Sequence, residues 1–523
     1  MSYLNGLQVL VLGLGESGLA MARWCARCGA QVRVWDSREE APQAAALTQH
    51  VPAAELLRGA LTDAAFAGVK LVLKSPGLSP LDERIAAPLS RAADMGVLVQ
   101  GELDLFARAL ADLKQDRGYA PKVLAITGTN GKTTTTAMAA MLVARTGRRV
   151  AMAGNIGPTM LQTLADALDA ARGDTAESPL PEVWVLELSS FQLDDVKGFE
   201  PSAATVLNIT QDHLDWHGSM AAYTAAKARV FGRDARMVVN RDDARVEALV
   251  PAPEVIKSVK GQRSATVERQ VTRFGTTAPT RPGDFGIVEE GGMAWLVRAT
   301  EVDETIKRPR LAKGASAEPE EIFLQRLMPA DALRVRGRHN AANALAALAL
   351  ASAIDCPLAP MLHGLREFTG EPHRVQFIAT INAVDAFDDS KGTNVGATVA
   401  ALLGLGADKA PAKLMVILGG DGKGQDFTPL ADGVRRHVRA VATLGRDAER
   451  IEQALASTGV TLQRFETLQA ATRWCFERAH PGDAVLLSPA CASLDMFRNY
   501  GHRAEVFVAE VHAIAADAGG VVA

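Results

Sequence analysis

Cysteine is scarce in this chain: five in 523 residues, at positions 25, 28, 356, 475 and 491, an odd number spread thinly. That excludes a disulfide framework and points to a reducing compartment. Cys25 and Cys28 form a lone C-x-x-C with no second pair to complete a zinc site, so both are assigned to helix packing. No apolar run approaches the ~18 residues a membrane helix needs. The opening Met1-Ser2-Tyr3-Leu4-Asn5-Gly6 also lacks the basic stretch of a signal peptide. A cytoplasmic location, with no membrane partner, is expected. Charge of one sign is missing too: 56 Lys and Arg stand against 60 Asp and Glu, a net −4, with no long block of either. Nucleic acid or an anionic membrane surface therefore has no electrostatic basis as a partner.

What is present is length and glycine-punctuated α/β alternation. At about 100–200 residues per domain, 523 residues give room for two to four domains, each with its own core. They are organised around Ala125-Ile126-Thr127-Gly128-Thr129-Asn130-Gly131-Lys132-Thr133-Thr134-Thr135. Residues 123–126 read as a buried strand and 137–143 as a helix. A glycine loop between the two is a phosphate cradle. Its backbone N–H groups close on phosphate oxygens and the helix N-terminus adds partial positive charge, while Lys132 reaches the outer phosphates and the Thr133 hydroxyl suits magnesium. The common form of this loop has a further glycine where this chain has Ile126. A plain strand-to-helix turn capped by threonine is the simpler alternative.

Upstream, the strand pattern 8–12 leads into Gly13-Leu14-Gly15-Glu16-Ser17-Gly18, a G-x-G-x-x-G turn, and then helical periodicity over 19–28. A second strand, 31–35, ends at Asp36, near where a dinucleotide-binding unit places its ribose carboxylate. The physical content is a diphosphate at a helix N-terminus, belonging to NAD or to any nucleoside diphosphate. Strand patterns at 69–73 and 97–99, the latter running through Gln100 into Gly101-Glu102, complete a compact unit over residues 1–100.

A helix over 102–113 and a polar stretch, 114–118, precede the phosphate loop. After it, strand 150–152 leads to Gly154-Asn155-Ile156-Gly157, strand 183–186 delivers Glu187, and strand 204–207 runs towards Asp212-His213. Open parallel sheets gather ligands at the carboxyl ends of their strands, so Glu187 and His213 are expected in the crevice of Lys132 and Thr133. Glu187 reads either as a magnesium or water-positioning group or as an ordinary strand-end acid. His213 and His217 lie four apart, as a helical metal pair would, but a solvated or capping role suits His217. Lys227, in a helical stretch, reads as a solvated lysine. Over 251–330 the pattern loosens, and the charged, Pro/Gly-punctuated 308–321 reads as a mobile surface excursion without chemistry. Arg338, His339 and Asn343 open an apolar helix, 344–354, and either cap it or face a base or phosphate. The central unit thus spans 101–370.

The remainder, 371–523, repeats strand, glycine turn and helix. It carries Asp388-Asp389-Ser390-Lys391-Gly392-Thr393-Asn394, Gly419-Gly420-Asp421-Gly422-Lys423 and Ser488-Pro489-Ala490-Cys491-Ala492-Ser493-Leu494-Asp495. Asp389 and Lys391 suit ribose, phosphate or an anionic substrate, or form a surface ion pair. The expected class is α/β in three domains: a Rossmann-like unit, a P-loop-type ATPase unit with a mostly parallel sheet, and a second Rossmann-like unit.

Taken together, the short loop Gly128-Thr129-Asn130-Gly131-Lys132-Thr133-Thr134 and the three C-terminal motifs resemble the Mur ligase family, which would also account for Ile126. The likeness runs from the first glycine turn to near the C-terminus, leaving 251–330 uncovered. It implies an ATP-dependent ligase joining D-glutamate to UDP-N-acetylmuramoyl-L-alanine through an acyl phosphate, with a sister ligase for another amino acid as the alternative. A dehydrogenase using NAD would leave Lys132, Thr133 and Glu187 without work, and a non-catalytic nucleotide-binding regulator would not need the magnesium set. A monomer is expected.

The resemblance also implies roles. Gly128 to Thr134 hold ATP phosphates, with Lys132 and Thr133 foremost. Thr133, Glu187, His213 and a carbamylated Lys227 hold two magnesium ions, and Lys132, Glu187, His213 and Lys227 form the catalytic set. Asn343 contacts adenine, and Arg374 and Asp389 contact ribose and phosphate. Asn155 and His213 touch the muramoyl substrate, while Ser17, Asp36, Ser37 and Arg38 line the uridine diphosphate pocket. Lys391, Thr393, Lys423, Ser493 and Leu494 serve the amino-acid side, Lys391 also lying beside ATP, and Tyr500 falls where the family commonly has Phe.

Overall fold

The computed structural model describes residues 2–171, 180–194, 196–256, 265–302, 322–335 and 337–518. In the first part of the chain, strands Glu55–Arg58, Gln31–Asp36, Gln8–Leu12, Leu71–Lys74 and Leu98–Gln100 lie side by side in that order, all parallel. Because strand order reverses at Gln8–Leu12, the turn after it opens into a crevice, and helix Glu16–Arg27 starts there. Gly18 has to be glycine, since a Cβ would stand 1.9 Å from the Gly13 carbonyl oxygen.

The second sheet is six-stranded and parallel: Val271–Phe274, Arg236–Asn240, Ala203–Val206, Lys122–Thr127, Val183–Glu187 and Val150–Gly154. Its central strands are covered on both faces, which is why they read as unbroken apolar runs rather than alternating ones. Register then fixes the site. Ile126 and Gly154 both pair with Glu187, and Thr127 pairs with Val206, so neighbouring strands finish level. The loop helix, Lys132–Ala144, packs with helix Arg338–Ser352 on one face through Met138, Leu142, Leu345 and Leu348. On the other face, Phe106 of helix Glu102–Arg117 meets Trp184 edge-on at 4.9 Å.

The third sheet orders Gln376–Ile381, Val384–Asp388, Ala484–Leu487, Leu414–Gly419, Val438–Leu444 and Thr461–Arg464. The outer pair is an antiparallel hairpin turning at Asn382-Ala383, both with positive φ, and the rest is parallel. This is the three-unit, mostly parallel α/β architecture expected from the sequence.

Two differences have physical reasons. The region where the pattern loosens contains a three-stranded antiparallel sheet, Phe285–Glu290, Met293–Glu301 and Ile322–Pro329. Seven of its residues are buried, Phe285, Gly286, Ile287, Leu296, Val297, Ala299 and Met328, so a sheet wet on one side gives a weak apolar signature. The excursion at 308–321 lies outside the described residues. Helix Glu102–Arg117 also runs one turn past 113, closing at Gly118 in the left-handed region (φ 67°), so the polar stretch is its exposed last turn. Among the described residues, no helix is long and apolar enough to cross a membrane.

Leu348 is fully buried where Arg338–Ser352 backs the loop helix. Leu348→Ala is expected to destabilise the central unit by about 2–5 kcal/mol, read as a lowered urea midpoint. A loss well under 1 kcal/mol would show that this helix contributes little to the core under the loop.

Candidate active site

Gly131 caps the loop helix with φ 81°, a conformation that glycine adopts freely. A Cβ there would lie 2.6 Å from Asn343 Oδ1, and Asn343 is itself held by a hydrogen bond from its Nδ2 to Asn340 Oδ1 at 3.1 Å. Asn343 thus sits directly beneath the loop, one turn into its helix rather than at the cap. The loop is fastened to its neighbour by side-chain amides: Asn130 N–H donates to Asn208 Oδ1 (2.8 Å), and Asn208 Nδ2 donates to the Asn130 carbonyl (3.1 Å). Thr129 Oγ1 meets Tyr223 Oη at 3.1 Å and donates to the Thr210 carbonyl.

Two lysines converge on one carbonyl. Lys132 Nζ donates to the Gly128 and Thr129 oxygens (3.0 and 2.9 Å), and Lys227 Nζ donates to the Gly128 oxygen from the other side (2.8 Å). Lys227 is buried and lies over the Tyr223 ring, which overturns the solvated reading of it. Burial, with Lys132 nearby, holds its amine well below the usual lysine range, while burial lowers Lys132 against the pull of Glu187.

Glu187, at its strand end, accepts from Asn155 Nδ2 at 2.8 Å through Oε1, while its buried Oε2 has no hydrogen-bond partner. Asn155 N–H also donates to the Glu187 carbonyl, so loop and acid are placed by the same register. His213 stands 3.5 Å from Asp212, edge-on to Phe191, and burial lowers its pKa, keeping it neutral at pH 7. His217 is not a solvated residue. Its Nε2 is 2.9 Å from Ser190 Oγ inside an aromatic cluster, and burial brings its pKa down to about 4. Among the described residues, no three His, Cys, Asp or Glu side chains cluster as a metal site.

The third unit completes this edge. Arg374 Nη2 donates to Thr133 Oγ1 at 2.8 Å, and Asn394 Nδ2 reaches Asn130 Oδ1 (3.2 Å) and Asp212 Oδ2 (3.4 Å) while Asn394 Oδ1 caps its own helix. Asp389 is buried and accepts from Ser488 Oγ at 2.6 Å, and burial pushes its carboxyl up to about 7. It forms no surface ion pair with Lys391, whose amine lies over the Tyr500 ring. Lys423, with φ 50°, is close enough to lower the pKa of His213. Thr393 donates its N–H to the Lys391 carbonyl, Ser493 is buried, and Leu494 and Tyr500 are exposed.

Ser17, Asp36, Ser37 and Arg38 form a separate group around the first glycine turn. Asp36 takes Leu14 N–H (2.7 Å) and both Nε and Nη2 of Arg38 (2.9 and 2.7 Å), which brings its carboxyl down to about 2. Ser37 Oγ accepts from Arg84.

Three family descriptions match along the chain: "Mur ligase MurD-like, N-terminal domain" over residues 7–101, "Mur ligase middle domain" over 126–278, and "Mur ligase, glutamate ligase domain" over 373–491. A curated protein of Albidiferax ferrireducens, UDP-N-acetylmuramoylalanine–D-glutamate ligase, is 58% identical over 521 residues, covering 99% of this chain and 98% of that protein. The chain belongs to the Mur ligase family. A Burkholderia thailandensis protein of the same name is 57% identical, covering 98% of each chain. Among solved structures, Thermotoga maritima MurF in complex with ADP superposes with a TM-score of 0.56 at 15% identity, covering 97% of this chain and 96% of that one. Thermotoga maritima MurC gives 0.53 at 19%, covering 97% and 99%. At those identities the structures speak for the Mur ligase fold alone.

Several residues that tie this Mur ligase site together escape sequence reasoning. Arg503, buried on the last helix, donates to the Ser390 and Cys491 carbonyls and so clamps two motif loops. Tyr223 and Asn208 belong with it, and no periodicity marks either of these two. An arginine in an otherwise apolar helical stripe was the one available hint. Gly131→Ala is expected to fold but bind ATP at least tenfold more weakly, measured with a fluorescent nucleotide. Unchanged affinity would mean that the close packing on Asn343 does not shape the cradle.

Proposed function

We propose that this chain catalyses ATP-dependent addition of D-glutamate to the carboxylate of UDP-N-acetylmuramoyl-L-alanine, releasing ADP and phosphate, in cytoplasmic synthesis of peptidoglycan precursors. The observation that carries this reading is the meeting of Lys132, Thr133, Glu187 and Lys227 with Arg374 of the third unit at one sheet edge. Relatives of nearly full length, named for this reaction, support it. We place its domains at 1–100 for the uridine diphosphate end, 101–370 for ATP and 371–523 for the amino acid, and expect a monomer.

A carboxylate is a poor electrophile until one oxygen becomes a leaving group, and phosphorylation supplies that. The D-glutamate amine then attacks the acyl phosphate, and the tetrahedral intermediate collapses to amide and phosphate. The protein's part is positioning and charge neutralisation. Loop N–H groups of 128–134, Lys132, Thr133 and Arg374 hold phosphate oxygens, with Asn343 beneath the adenine side and Asp389 towards ribose. Asn155 orients the muramoyl arm. Lys391, Thr393, Lys423, Ser493, Leu494 and Tyr500 form the D-glutamate side, and Ser17, Asp36, Ser37 and Arg38 the uridine diphosphate side.

The residues fit magnesium. Glu187 has one oxygen committed to Asn155 and one without a partner, Thr133 offers a hydroxyl, and neutral His213 a lone pair. Magnesium there would neutralise phosphate charge as it shifts between oxygens. Magnesium commonly takes one or two carboxylates and leaves the remaining positions to water and phosphate, so one Glu suffices for a first ion. A second ion needs another anion. Lys227 fits that need, because burial favours its neutral amine, the form that adds carbon dioxide to become a carbamate.

Phosphate release from ATP with UDP-N-acetylmuramoyl-L-alanine is expected with D-glutamate, but not with L-glutamate, L-lysine or meso-diaminopimelate, and is lost in Lys132→Ala. Release with another of these amino acids would keep the family and overturn the amino-acid assignment. Incubation with 13C-bicarbonate should give a carbamate resonance in the parent that is missing in Lys227→Ala. The same resonance in both proteins would remove Lys227 as its carrier.

A further inference from the structure

His373 and Asp388 form a pair that nothing in the reaction above uses. Asp388 ends strand Val384–Asp388 and is fully buried. Its Oδ1 accepts both the N–H and the hydroxyl of Ser390 (2.9 and 2.6 Å), and its Oδ2 lies 2.7 Å from His373 Nδ1. A carboxylate only accepts, so Nδ1 carries the ring hydrogen and Nε2 is left with a lone pair. The His373 side chain is 30% exposed, and with Nδ1 turned to a buried group the part left to solvent is the far edge, which includes Nε2.

The backbone around this ring is strained. His373 and Val375 both take the left-handed region (φ 66° and 46°), and Asp389 Oδ1 accepts the Val375 N–H at 3.3 Å. Between them, Arg374 reaches Thr133 of the phosphate loop. The His373 carbonyl accepts the Lys391 N–H at 3.2 Å, its ring stands 6.1 Å from that of Tyr500, and the Lys391 amine lies over the same Tyr500 ring. The imidazole is therefore flanked by the arginine assigned to phosphate and by the lysine and tyrosine assigned to D-glutamate.

We propose that His373 is the general base that takes a proton from the D-glutamate ammonium, with Asp388 as its positioning residue. This rests on the ligase reading above, which leaves that proton without an acceptor. An ammonium has no lone pair and cannot attack. His373 Nε2 takes one of its three protons, and the pair freed on nitrogen attacks the acyl carbon while the carbonyl pair moves to oxygen. Collapse re-forms the carbonyl and breaks the bond to the phosphate oxygen. A second proton passes from nitrogen to the departing phosphate, the third stays on the amide, and His373 returns its own to solvent. Asp388 fixes the tautomer that presents Nε2 and offsets the charge of the imidazolium.

The charged and titratable groups around the ring are Glu371 and Arg374 of its own segment, Asp388 and Asp389 at the strand end, Lys391 in the next loop, and Tyr500 and Arg503 of the last helix. Asp389 accepts from Ser488, Arg374 donates to Thr133, and Arg503 donates to the Ser390 and Cys491 carbonyls, so Asp388 is the acid that meets the ring directly.

The test supplies the full chain, ATP and UDP-N-acetylmuramoyl-L-alanine with either D-glutamate or hydroxylamine. Hydroxylamine is largely uncharged at neutral pH and traps an acyl phosphate as a hydroxamate without a base. Asparagine tolerates the left-handed backbone, and its Nδ2 keeps a donor for Asp388 while Nε2 is gone. His373→Asn is expected to form amide about a hundredfold more slowly at pH 7 but hydroxamate at close to the parent rate, with KM for ATP within about threefold. Its amide rate should climb about tenfold per pH unit above 7, as free amine accumulates in solution, whereas the parent's stays nearly flat. Amide and hydroxamate lost alike, or an amide rate within about threefold of the parent's, would overturn the proposal. No amide from the parent itself with D-glutamate would instead bring down the ligase reading, and this inference with it.

Discussion

Two amines on one carbonyl set the terms for the site. Lys132 and Lys227 both donate to the Gly128 oxygen, and Arg374 reaches in from the third unit to Thr133. Cations this close and this poorly hydrated repel one another and lose solvation, costs that proteins meet by losing protons or binding anions. Both answers are visible. Burial and the nearby Lys132 hold the Lys227 amine well below the usual lysine range, and the loop presents N–H groups at a helix N-terminus, where anions are favoured. Glu187, a carboxylate that acts on all three cations, is half committed to Asn155. In the proposed reaction, ATP and a carbamate on Lys227 would bring further negative charge to this edge.

The register of the central sheet allows this concentration. Thr127, Glu187 and Gly154 end neighbouring strands level with one another, so residues far apart in sequence arrive within side-chain reach without long loops. Where the first and second units meet, contacts are of another kind. Ser79 Oγ donates to the Trp216 carbonyl and Lys74 lies over the Trp216 ring, while Glu102 holds a helix start. One junction is built around an aromatic ring; the other around side-chain amides and an arginine.

Much of this was legible in the chain. Parallel strands covered on both faces appear as apolar runs, and glycines mark the turns after them, so the three α/β units and the loop from Gly128 to Thr134 follow from pattern alone. The antiparallel sheet of Phe285–Glu290, Met293–Glu301 and Ile322–Pro329 did not, because most of its residues are exposed or only partly buried. Nor did side-chain destinations inside helices: Lys227 and His217 have ordinary helical spacing, and only tertiary packing turns one onto Gly128 and the other onto Ser190. The roles proposed for Lys227 and Asn343 came from family likeness, since spacing carries no trace of what lies across a crevice.

Asn394 has one amide serving two masters. Its oxygen caps a helix of the third unit, and its nitrogen reaches Asn130 and Asp212 in the central one. The cap belongs to the unit itself, whereas the bonds across the gap are long and each worth about 1 kcal/mol net. Water can replace them without disturbing any core. These bonds, with the one from Arg374 to Thr133, hold the third unit to the phosphate loop as a latch does, by a polar catch rather than a shared core.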